Sequence, residues 1–274
     1  MTTTAQPVSG FAEVNGAQLY YEEAGNGHPL LLIHGGLVHS DMWDDQFEAF
    51  AQHFRVIRFD LRGFGKSSLP AGEYAFHEDL RGLLDTLNVS QAHIVGLSMG
   101  GKIAIDFTLA YSERVSALVP VASALSGYRF SERTIGRMVE ADERLEAGDI
   151  AAGVELENRL WVDGPGRTPE MVDPGVRERV RVMNTANYQR AADESIELDL
   201  EPAAIDRLAE IGVPTLIVAG YQDVSDILAI AELLQKDIGG ARLAIIPNTA
   251  HQLNMERPDE FNRIVLDFLR ASSS

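Results

Sequence analysis

The stretch Ala92-His93-Ile94-Val95-Gly96-Leu97-Ser98-Met99-Gly100-Gly101-Lys102 runs from an apolar strand straight into a helix with no loop between them. A chain that reverses so sharply holds its turning residue, Ser98, in a strained conformation with the hydroxyl projecting. The backbone on either side must then pass close to positions two before and two after the serine. A side chain at Gly96 or Gly100 would clash, so the two glycines are a steric requirement.

Working outward, apolar runs at residues 30–33, 56–59, 115–121, 215–219 and 242–246 read as further strands. Helical stripes lie between them: 41–53, 78–87, 102–111 and 226–236, with a last helix at 258–269. Ahead of this alternation, residues 11–14 and 18–22 form two short strands joined by Asn15-Gly16, a hairpin turn signal. Alternation of this kind gives an α/β fold with a mostly parallel central sheet, helices on both faces and antiparallel N-terminal strands. From 124 to about 202 no strand-like run is expected. The segment is rich in Arg and Glu with helical patches such as 137–145. It is too long for a structureless loop. The expected organisation is therefore a core of 1–123 and 204–274 with a helical cap, 124–203, inserted over the carboxyl ends of the strands. Ligands bind at those ends in open α/β sheets.

Composition narrows the function. The 274 residues hold 23 Lys+Arg against 41 Asp+Glu, a formal charge of −18, and no cysteine. An acidic chain lacks the basic footprint that nucleic acid requires. The absence of cysteine excludes disulfides, a thiol nucleophile and thiolate metal sites. The start, MTTTAQPVSG, has neither the basic nor the apolar region of a signal peptide, and no apolar run is long enough to span a membrane. A cytoplasmic protein without nucleic-acid or membrane partners is expected. No HExxH motif or aspartate-rich calcium loop is present, so neither a metal nor another cofactor is expected.

A serine hydroxyl needs a base to become a nucleophile. His251 follows the strand at 242–246 and precedes the last helix, which places it on the same sheet edge as Ser98. A histidine base needs an acid to fix its tautomer. Asp223, at the end of the strand 215–219, meets that need; its rival Asp226 reads as a first-turn acid of the next helix. The order Ser98, Asp223, His251 is the one expected for a serine on a strand-to-helix elbow. Developing oxyanion charge needs preorganised N–H donors. The Met99 N–H and one from the turn His34-Gly35-Gly36-Leu37 qualify, with Gly36 favoured over Leu37. Leu37, His39, Trp43, Tyr128 and Trp161 are candidate substrate contacts. Asp60 and Arg62 read as turn-stabilising residues, and His34 as hydrogen-bonded within its own turn.

In combination, His34-Gly35-Gly36, Asp60-Leu61-Arg62-Gly63-Phe64-Gly65-Lys66-Ser67 and Gly96-Leu97-Ser98-Met99-Gly100 resemble the α/β-hydrolase fold family, in its serine hydrolase branch with a helical cap. The likeness runs from about 11 to 269. It implies Ser98 as nucleophile, Asp223 as acid, His251 as base and Gly36 and Met99 as oxyanion donors. It further implies hydrolysis of a small ester or lactone. A C–C bond or 3-oxoadipate enol-lactone-type hydrolase is the alternative within the class, and a non-catalytic small-molecule receptor the alternative outside it. Ser98, where haloalkane dehalogenases and epoxide hydrolases carry a carboxylate, argues against those branches. Tyr221-Gln222 departs from relatives that often place an acid before the triad aspartate.

Overall fold

Eight strands form one sheet in the order β1-β2-β4-β3-β6-β7-β9-β10. They are β1 (Val8–Val14), β2 (Ala17–Ala24), β3 (Pro29–Ile33), β4 (Arg55–Phe59), β6 (Ala92–Leu97), β7 (Val115–Val121), β9 (Leu216–Gly220) and β10 (Arg242–Ile246). A computed structural model describes residues 7–190 and 195–272. Strands β1 and β2 are antiparallel, as is the β2–β4 pair; the rest of the sheet is parallel. The central strands are apolar end to end because both faces are covered: all six residues of β6 are buried.

The helices of this layer are α1 (Asp44–Ala51), α2 (Phe76–Thr86), α3 (Met99–Ala110), α7 (Ser225–Asp237), the short α8 (Leu253–Glu256) and α9 (Pro258–Ser272). α1 packs with α9 and α2 with α3. Between β7 and β9 lie α4 (Glu132–Glu146), α5 (Ile150–Glu157), a π-helical turn Asn158–Asp163 and α6 (Pro174–Tyr188).

This segment corrects one expectation. A strand β8 (Ser195–Glu197) pairs in parallel with β5 (Gly72–Tyr74) as a separate two-stranded sheet. Each is three residues long and mostly polar, so neither carries a periodic signal. Residues 191–194 of the expected cap lie outside the described residues.

The sheet's topology locates a crevice. From β3 the chain goes first to β4 on one side, then to β6 on the other, so the connections diverge between β3 and β6. The strands end level, with Ile33 opposite Gly96. The segments that follow, Gly35-Gly36 and Ser98, therefore face each other at the topological switch point.

Candidate active site

Ser98 has φ 57° and ψ −114°, a backbone conformation that L-residues seldom adopt. Its N–H donates to Val121 O at 2.9 Å, while its carbonyl accepts from Lys102 and Ala124 at 3.0 and 3.1 Å. The strain is held by hydrogen bonds to both neighbouring elements. The flanking glycines are needed for the reason the sequence gives. A Cβ on Gly96 would strike the Gly100 carbonyl, and one on Gly100 the carbonyls of Ile33 and His34.

The turn after β3 closes over this elbow. A Cβ on Gly35 would lie 3.4 Å from Ser98 Cβ, and one on Gly36 3.9 Å from Met99 Cβ. His34, fully buried, locks the turn. Its Nδ1–H donates to Gly35 O at 2.8 Å and its Nε2 accepts from the Leu61 N–H at 2.9 Å. Burial pushes its pKa down to about 4, so the ring stays neutral, the form that can accept and donate at once. Asp60 accepts from Ser40 N at 2.9 Å and Lys66 N at 2.8 Å, tying two loops together. Arg62 makes two 2.8 Å bonds to Asp79, both buried. These residues build the scaffold and do not line the cavity described below.

His251 and Asp223 meet as a buried pair. His251 Nδ1 lies 2.8 Å from Asp223 Oδ2, and Asp223 Oδ1 accepts from the Val224 N–H at 2.8 Å. Backbone bonds hold their two loops in register: Gln222 N to Thr249 O at 2.8 Å and Tyr221 N to Ile246 O at 3.0 Å. Gly220 is needed where the loops touch, since its Cβ would collide with Ala250 O. Asp226 has a different task. It accepts from Ser131 N, Ser131 Oγ and Thr134 Oγ1, at 2.6 to 2.8 Å, so it fastens α7 to the start of α4.

A second tie reaches the histidine loop from the segment after the π-turn. Arg167 and Glu256, both nearly buried, form a two-pronged ion pair at 2.5 and 3.1 Å. The same carboxylate accepts from the Ala250 N–H at 2.8 Å. Arg167 also donates to the carbonyls of Val162, Asp163 and Asn248.

Ser98 and His251 line one cavity of about 260 Å³. Gly35, Gly36, Leu37 and Met99 form one wall, together with Leu97 and Ala124. Ile227 and Gln252 border the histidine. The opposite wall comes from the helical segment: Phe130, Met138, Asp142, Glu157, Leu160 and Trp161. The Trp161 ring packs on His251 with centroids 4.7 Å apart and planes at 45°.

Three expected substrate contacts are corrected. Trp43 is completely buried in the core against Phe261. His39 caps the 3₁₀ turn Ser40–Trp43. Tyr128 packs edge-on to Phe130, and Phe130 is the residue that reaches the cavity. Residues the sequence reading missed include Asp142, Glu157 and Gln252. A Glu or Asp on an amphipathic helix carries no mark that distinguishes a cavity-facing residue from a solvated one. Among the described residues no cluster of His, Asp or Glu is arranged to hold a metal ion. None of their helices is long and apolar enough to cross a membrane.

A strained serine on a strand-to-helix turn and a buried Asp–His pair across one cavity define a class, and comparison with known proteins names it. The model of the alpha/beta hydrolase fold family matches residues 28–258, and the chain belongs to that family. It is 30% identical over 282 residues to the 2-hydroxy-6-oxo-6-(2'-aminophenyl)hexa-2,4-dienoic acid hydrolase of Metapseudomonas resinovorans, covering 96% of this chain and 91% of that one. Among solved structures, a hydrolase from Pseudomonas aeruginosa PA01 superposes with a TM-score of 0.77 at 31% identity, covering 95% and 98% of the two chains. The enol-lactonase from Burkholderia xenovorans LB400 superposes at 0.78 with 27% identity, covering 95% and 100%.

Proposed function

We propose that this α/β hydrolase is a serine hydrolase of a small ester or lactone, with Ser98 as nucleophile, His251 as base and Asp223 as the orienting acid. The observation that carries the proposal is the buried 2.8 Å Asp223–His251 pair lining, through His251, the same cavity as the strained Ser98. With Nδ1–H donated to Asp223, the histidine's Nε2 is free to accept the serine proton. Ser98 Oγ attacks the carbonyl carbon, and the imidazolium that forms is stabilised by the carboxylate. The tetrahedral oxyanion is held by the N–H groups of Met99, at the N-terminus of α3, and Gly36. His251 then protonates the leaving alcohol, and water attacks the acyl-enzyme by the same route.

In this reading the helices between β7 and β9 act as a cap, and 124–203 is a unit inserted in the hydrolase core. Leu37 and Trp161 are the substrate contacts retained from the sequence. Fluorophosphonate labelling at Ser98 and turnover of p-nitrophenyl butyrate test the proposal, with Ser98→Ala as control. Labelling and turnover that vanish together in the variant are expected. A wild-type chain that neither labels nor turns over short esters and lactones overturns it and favours the receptor reading.

A further inference from the structure

The cavity carries an unbalanced set of polar groups. Its lining includes two carboxylates, Asp142 of α4 and Glu157 at the end of α5, and, among the described residues, no lysine or arginine. Glu157 is only 7% exposed, and the donors that reach it are both neutral: Asn184 Nδ2 at 2.6 Å and Tyr188 OH at 2.9 Å. Nearby guanidinium groups are committed elsewhere, Arg177 to Asp163 and Glu155, and Arg167 to Glu256. Burial without a cation therefore raises the Glu157 carboxyl above the usual range, and the charge of Asp142 adds to the effect.

A second observation points the same way. Other wall residues, including Phe130, Met138 and Trp161, are apolar or aromatic and suit the alkyl groups of a substituted amine.

Building on the ester or lactone reading of Ser98, we propose that this cavity selects substrates whose non-reacting end carries an ammonium group and rejects those ending in a carboxylate. An ammonium group supplies the positive charge that a lining with Asp142 and Glu157 but no lysine or arginine lacks. A carboxylate in the same place would sit beside two acids with no cation to balance it.

The test uses three butyrate esters of matched shape at pH 7.5. They are 3-(dimethylamino)propyl butyrate, which is cationic, its uncharged isostere 4-methylpentyl butyrate, and the anionic 4-(butyryloxy)butanoate. We expect kcat/KM at least tenfold higher for the cation than for the isostere, and at least tenfold lower for the anion. Glu157→Gln and Asp142→Asn should each shrink the cation-to-isostere ratio severalfold. Glu157→Gln sets an amide against Asn184 and can fail to fold, but Asp142 is exposed, and its variant keeps the test decisive. Ratios within threefold of one overturn the proposal, as does a preference that survives in Asp142→Asn and in every folded Glu157 variant. Calorimetric binding of the same esters to Ser98→Ala separates the two readings. Tighter binding of the cation without turnover by the wild type sustains charge selection and removes the esterase assignment. Equal binding of all three overturns charge selection alone if the wild type turns esters over.

Discussion

Removing the carboxylate of Glu256 should be felt in two places at once. Arg167 and Glu256 have side chains 4% and 7% exposed, so Glu256→Ala leaves a guanidinium in the interior without its counter-charge. Breaking one partner of a buried pair costs about 3–5 kcal/mol. The Ala250 N–H also loses its acceptor, a further penalty of about 1–3 kcal/mol for a buried group. Against this, Arg167 keeps the carbonyls of Val162, Asp163 and Asn248 as acceptors. The net cost should therefore lie at the low end of that sum, about 4 kcal/mol. With a urea dependence of about 3 kcal/mol per molar, the unfolding midpoint should fall by about 1 M. Because Ala250 adjoins His251, kcat/KM for p-nitrophenyl butyrate should drop about tenfold under conditions where the variant is folded, in keeping with the sensitivity of catalysis to small misplacements. Arg167→Met/Glu256→Met should recover the part owed to the unpaired guanidinium but not the part owed to the Ala250 N–H, which stays without an acceptor. A loss under about 0.5 kcal/mol for Glu256→Ala would refute the reasoning. So would single and double variants that add within that margin, because coupled groups do not add.

Asp223→Asn should lower kcat by about 10⁴, the scale of an inverted histidine tautomer; a loss below tenfold would remove Asp223 from its proposed role. Gly100→Ala should destabilise the fold by several kcal/mol, because the added Cβ meets two backbone carbonyls, whereas Gly136→Ala, on exposed α4 with open space around it, should raise the melting temperature slightly. Burial holds His34 and His93 at about 4, so between pH 6.5 and 4 the unfolded chain takes up protons that the native one refuses, and stability falls with falling pH. Asp106, raised to about 6 by burial, binds its proton in the native state first and opposes this, so these three groups together contribute a slope of about 1.4 kcal/mol per pH unit near pH 5. Asp106→Asn should therefore roughly double that contribution in urea titrations, and an unchanged slope would contradict the assignment.

What could be read from the sequence was what local sterics dictate. Gly96 and Gly100 announce the elbow because the clash they avoid is with their own neighbours in the chain and the adjoining strand. The strands are legible because burial on both faces leaves them no polar residue to alternate with. His251 and Asp223 were legible by position, each following a strand at the same sheet edge. β5 and β8 were not, since three residues of mixed polarity pair across more than a hundred residues of chain. Trp43 was misplaced for a related reason: a large aromatic after the His34-Gly35-Gly36 turn suits a pocket or a core equally well, and only the packing of α9 decides for the core.

The substrate wall is the extreme of this kind of illegibility. Which face of α4 and α5 meets the cavity is settled by how the helical segment docks, through contacts such as Asp226 to Ser131 and Arg167 to Glu256. A wide turn at Asn158–Asp163 then breaks the ordinary helical spacing, so the interval between Glu157, Leu160 and Trp161 cannot be projected from a regular helix. Sequence periodicity treats Glu157 as one more solvated acid in an acidic segment. Buried beside Asn184 and Tyr188, it sets an acid in the cavity wall. The proposed chemistry of bond cleavage therefore rests on residues whose positions are set by the strand ends. The proposed choice of substrate rests on residues whose placement depends on docking, and charge-matched esters probe the second independently of the first.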